Sequence, residues 1–142
     1  MDKSKLFNSV VAALGTWLTY IFGAWDTALI VLVAFMAIDY LTGVIRAGLE
    51  HKVSSSIGFK GLAKKFIIIL ILIMAVLLDR LIGSGTWVFR TIVAYFYIAN
   101  EGISILENSA ALGLPVPAKL KDILAQLKEG KKATTEGEDI NE

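Results

Sequence analysis

The stretch Phe66–Leu78, FIIILILIMAVLL, carries neither a charge nor a hydrogen-bonding side chain, and its reading decides the fold class. A helix needs about 20 predominantly apolar residues to cross the hydrocarbon core of a bilayer. This run and its flanks supply a span over 66–82. Upstream, 27–45 is almost as apolar, and 6–23 and 87–106 are weaker candidates of the same length. The whole chain is 56% hydrophobic over 142 residues, with a mean hydropathy of +0.66. Soluble domains are about 45–50% apolar, and a core of this size cannot hide the excess. The expected fold is therefore all-α, an integral membrane bundle of four helices with a short amphipathic helix after them.

The breaks between spans have identifiable chemistry. Gly23-Ala24-Trp25-Asp26 closes the first span, and Gly83-Ser84-Gly85 forms a flexible turn after the third. Gly113, Pro115 and Pro117 end the fourth, because glycine caps a helix and proline cannot continue one. From Ala118, Leu120, Ile123, Leu124 and Leu127 recur at helical spacing opposite Lys119, Lys121, Asp122 and Lys128. The expected organisation is a membrane region over 1–114, a cytoplasmic amphipathic helix over 115–129, and a disordered charged tail over 130–142.

Charge placement gives the topology. The connection after the second span carries Arg46, Lys52, Lys60, Lys64 and Lys65 against Glu50 alone, while the turns near Ala24 and Ser84 carry no lysine or arginine. By the positive-inside rule this loop and both termini face the cytoplasm, and Trp25 and Trp87 meet at the outer interface. Lys3 and Lys5 before an apolar stretch resemble a signal peptide, but Phe22 occupies the −3 position for cleavage after Ala24, so the segment is read as retained. The first span stays open between two readings. Its stripe of Asn8, Ala12, Gly15 and Thr19 suits a helix packed through small residues. It equally suits a helix lying on the membrane surface, which leaves three spans and moves the N-terminus outside.

Charged residues within spans need partners, water or protonation. Asp79 and Arg90 fall near the outer ends of spans three and four and are placed to pair. Asp39, Asn100 and Glu101 fall at one inner depth, with Arg46 two turns beyond Asp39 and Lys64 and Lys65 within reach. Structural pairing and the lining of a water-filled path are both open for these residues.

Much is excluded. There is no cysteine, so no disulfide or thiolate metal site exists, and the single histidine, His51, is a poor start for metal or acid–base chemistry. No phosphate-binding glycine loop or dinucleotide fingerprint occurs. Ser54–Ser56 lacks the surroundings of a nucleophile elbow and reads as a helix cap, with Gly58 and Gly61 bending the chain into the next span. No cofactor, nucleic-acid partner or enzymatic activity is expected.

Three blocks carry a resemblance: IDYLTGVIRA at 38–47, SSSIGFKGLAKK at 54–65 and ANEGISILENSAALGLPVPAKLKDIL at 99–124. In this order the chain resembles the phage-lysis and toxin-secretion holins of Gram-positive bacteria and their phages, which include the holin-like proteins encoded beside large clostridial toxins. The matching positions are Asp39, Gly43, Gly58, Gly61, Lys64, Glu101, Glu107, Asn108, Pro115 and Pro117. The resemblance implies a homo-oligomer in the bacterial cytoplasmic membrane that opens lesions, dissipates the proton-motive force and lets an endolysin reach the cell wall, or aids release of proteins lacking signal peptides. It implies no catalytic residue. A small ion channel or transporter subunit, or an antiholin-type regulator, is the alternative for such a chain.

Overall fold

The computed structural model describes residues 2–130 and contains five helices and, among the described residues, no strand. They are α1 (Lys3–Phe22), α2 (Thr27–Leu49), α3 (Ser55–Ile82), α4 (Val88–Ala111) and α5 (Ala118–Lys128). The stretch 131–142, most of the expected disordered tail, lies outside the described residues. By length and composition α2 and α3 are apolar enough to cross a membrane. The expected first and fourth spans do not meet that measure. Asn8, Ser9, Thr16 and Thr19 interrupt α1, and Arg90, Asn100, Glu101, Glu107 and Asn108 interrupt α4.

Local chemistry sets most of the ends. Asp26 caps α2 by accepting from the Leu29 amide at 3.0 Å, and Ser54 caps α3 by accepting from the Ile57 amide at 3.3 Å. α3 ends at Gly83, whose φ of 65° is the left-handed conformation that a glycine enters without steric cost. The third helix starts at Ser55, well before the expected 66. So Ser54, the first of the expected capping serines, is the cap, and Gly58 and Gly61 lie inside the helix rather than at a junction of loop and span. A Cβ on either would stand 3.5–3.6 Å from the Tyr40 side chain, so the missing side chains form the bed on which Tyr40 of α2 lies.

α4 is the hub, packing against α2, α3 and α5. The core is an apolar layer of Leu29, Leu32, Met36, Ile68, Leu72, Ala94 and Ile98, flanked by Ala75, Val76 and Ala99. Outside it, Ile30, Val33, Leu41, Ile67, Leu70, Met74, Leu77 and Leu81 are exposed. An apolar exterior around an apolar core is the pattern of a bundle whose surroundings are hydrocarbon. α1 has no buried residue. It leans on α3 through its last turns, where the Arg80 guanidinium donates to the Tyr20 carbonyl and stacks 4.1 Å from the centre of the Tyr20 ring. α5 folds back along α4 and buries Leu124. A Cβ on Gly102 would come within 2.9 Å of Leu124 and 3.2 Å of Phe35, so this glycine is where α2, α4 and α5 meet.

Candidate functional site

Two clusters of charge cap the apolar layer. Measured at 1.5 Å per residue, Lys65 and Asp79 are about 21 Å apart along α3, and Arg90 and Glu101 about 17 Å apart along α4. Both clusters therefore fit within the reach of an approximately 30 Å hydrocarbon slab. Such groups must be satisfied within the protein. They are: no buried side-chain nitrogen or oxygen among the described residues lacks a partner.

At the end nearer the basic loop, Lys65 of α3 pairs with both Asp39 of α2 and Glu101 of α4. Asn108, one helical repeat further along α4, donates to Asp39 at 3.2 Å and to the Thr42 hydroxyl at 3.1 Å. Three helices are thus tied by one ammonium and one amide. Arg46 does not reach Asp39; its guanidinium donates to Glu50 at 2.9 Å on the exposed end of α2. Arg46, and then Lys52, hold the Glu50 carboxyl below the ordinary carboxylate range. Asn100 is half-buried one position before Glu101 and takes no part in the cluster. Lys65 and Thr42 carry more of the arrangement than their prominence in the sequence suggests. The available signal was a lysine at the inner depth of the only span beginning in a basic loop.

A cavity of about 380 Å³ opens beside this cluster, between α2, the first turns of α3, and Ser104 and Asn108 of α4. It runs from Val53 and Ser54 inward to Asp39 and Lys65, with Lys64 at its side and Gly43, Gly58 and Gly61 in its wall. Six positions of the sequence motifs (Asp39, Gly43, Gly58, Gly61, Lys64 and Asn108) therefore converge on one vestibule. Glu107 stands exposed on α4, Pro115 lies in the connection, and Pro117 begins α5.

At the opposite end Arg90 is 2% exposed. Its guanidinium meets the Asp26 carboxylate through two contacts, at 2.7 and 3.0 Å. It also donates to the Phe22 carbonyl at 2.6 Å and the Ala24 carbonyl at 2.9 Å. Hydrogen bonding to Arg90 lowers the Asp26 pKa, with the Leu29 amide contributing. The expected Asp79–Arg90 ion pair takes another form. Asp79 accepts from the backbone amides of Phe89 at 3.0 Å and Arg90 at 2.8 Å, capping α4 from α3 while the guanidinium turns to Asp26. The sequence reading overlooked Asp26 as a partner because it sits in a turn, where it also serves as a cap. Among the described residues no cluster of histidine and carboxylate side chains is arranged to hold a metal.

The geometry defines an all-α bundle with internally partnered charges and two helices apolar enough to cross a membrane, and comparison with known proteins says which kind. The profile of the bacteriophage holin family matches residues 16–129. The chain belongs to that family. It is 56% identical over 121 residues to an uncharacterized 14.9 kDa protein in the nagH 3′ region of Clostridium perfringens, covering 85% of this chain and 92% of that one. It is 47% identical over 123 residues to an uncharacterized protein of Clostridium acetobutylicum, covering 87% and 98%. It is 34% identical over 140 residues to the uncharacterized protein YqxH of Bacillus subtilis, covering 98% and 97%. No solved structure matches.

Proposed function

We propose that this protein is a holin. Copies of it assemble in the bacterial cytoplasmic membrane and open a lesion through which a cytoplasmic endolysin reaches the cell wall. In this reading α1 to α4 cross the membrane, with the basic connection and both termini in the cytoplasm.

The observation that carries the proposal is an apolar exterior around charged groups that find their partners inside the bundle. The core between the two clusters is closed by Leu29, Leu32, Leu72, Val76 and Ile98, so a single copy offers water no way through. Permeation must then arise between copies, which argues against a channel formed by one subunit. Family membership supplies the biological setting. Small residues exposed along α1 and α2, such as Gly15, Ala34 and Ala37, allow close approach of neighbouring helices.

The test is induced expression in a bacterium, with and without a cytoplasmic endolysin, following membrane potential and culture density. Depolarisation and growth arrest, with lysis only when the endolysin is present, is the expected result. Growth with the potential intact, despite confirmed insertion, would overturn the proposal in favour of an antiholin-type regulator. Depolarisation that never releases a co-expressed endolysin would overturn it in favour of a small channel.

A further inference from the structure

We propose that α5 lies within the thickness of the membrane and that its charged face borders the water-filled interior of the open lesion. This rests on the holin reading above and assigns a lumen-facing side to the bundle. The depth of α5 follows from its contacts. Leu124 meets Gly102 of α4, and Leu127 packs against the apolar core. The Lys128 ammonium lies 5.7 Å from the centre of the Phe96 ring. A cavity of about 650 Å³ is lined jointly by Leu127, Lys128, Thr91, Phe96 and Ile71. Ile71 is near the middle of the uninterrupted apolar run of α3, so the end of α5 stands at the most hydrophobic level of the molecule.

The outward face of α5 carries Lys119, Lys121 and Asp122, all exposed, while Lys128 and the capping Glu129 line the cavity at its deep end. Lys128 and Glu129 at that depth are costly against lipid, and short or irregular elements survive at membrane depth only where protein covers them or water reaches them. The exposed faces of α2 and α3 bear the opposite character, with Ile30, Val33, Leu70, Met74 and Leu77 outward. One bundle therefore has a side suited to lipid and a side suited to water, and α5 is the side suited to water.

The absence of cysteine makes single-cysteine spin labelling direct. The full chain is reconstituted in vesicles of phosphatidylethanolamine and phosphatidylglycerol, and dye release is followed on the same samples. Labels at Lys121→Cys and Ala125→Cys are compared with labels at Leu70→Cys and Met74→Cys for collisions with a water-soluble nickel chelate and with oxygen. A Phe96→Cys/Lys128→Cys pair reports docking by dipolar broadening. The expected result is broadening of the pair, with nickel-to-oxygen ratios on α5 several-fold above those on α3. A broadened pair with oxygen-favoured labels on α5 would overturn the proposal by placing α5 against lipid. An unbroadened pair with freely mobile α5 labels would overturn it by placing α5 in bulk water. Vesicles that hold their dye, with Leu70 and Met74 labels outside the hydrocarbon, signal instead that the spanning reading itself has failed, and the proposal falls with it.

Discussion

Lys65 balances two carboxylates with one ammonium, and this asymmetry makes it the most consequential single side chain in the bundle. Removing one member of a buried ion pair costs about 3–5 kcal/mol, because the partner is left uncompensated. Lys65→Met leaves both Asp39 and Glu101 in that state. It is expected to lower thermal stability in detergent by an amount of that order, and Lys65→Met combined with Asp39→Asn and Glu101→Gln is expected to recover much of the loss. At the other end Arg90→Lys is not conservative, since an ammonium cannot reproduce the two contacts to Asp26 together with two carbonyl bonds. Asp26 also makes this end sensitive to acid. Its folded pKa lies below its unfolded value, so its contribution is present above the unfolded pKa and is lost as pH falls through the folded one. The Asp26 side chain is 46% exposed, so solvent screening keeps the effect small. Melting curves of the wild type and Asp26→Asn are expected to differ at neutral pH and converge in strong acid.

The elements differ in how far the sequence disclosed them. The apolar run of α3 and the glycine and proline breaks were legible because period and punctuation are local properties. That Asp39 and Glu101 share a depth was legible too, from helical rise alone. Which cation serves them was not, because choosing Lys65 over Arg46 depends on the rotation of α3 relative to α2. The role of Gly58 and Gly61 was misread for the same reason. Glycine near a helix start suggests a bend, and only the position of Tyr40 across the interface shows that it makes room instead. Gly102 is the sharpest case. Gly102→Leu is expected to push α5 from α4, since even a Cβ there crowds Leu124 and Phe35. Loss of dipolar broadening between spin labels at Phe96→Cys and Lys128→Cys, with the helical circular dichroism retained, is the measurement. Gly61→Leu is expected to displace Tyr40 and to fill the vestibule beside Asp39 while leaving α5 docked.

At the scale of the whole molecule, charges that the sequence scatters along separate helices condense into two clusters around one apolar layer. In the holin reading, activity is then a property of how many copies meet and which sides they turn to one another. α1 is the element least committed to the bundle, held by Arg80 and Arg90 at its last turns and unburied along its length. Deleting residues 2–15 is expected to leave the melting temperature of α2–α5 nearly unchanged while altering the time at which cells depolarise after induction. An unchanged time with unchanged membrane insertion would show that α1 has no part in assembly.

The cap that Asp79 places on α4 also bears on the order of events during synthesis. The first turn of α4 has no capping side chain of its own at Trp87 and borrows one from the preceding helix, across the Gly83–Thr86 turn. An aspartate cap is worth about 0.5–2 kcal/mol, and here it becomes available only once α3 has already wound to its end. As the nascent chain leaves the ribosome, α4 therefore has no fixed starting register until α3 is complete. In the holin reading the two are expected to enter the bilayer as one hairpin rather than as successive threads, with the Asp79 carboxylate at its tip already hydrogen-bonded by backbone amides.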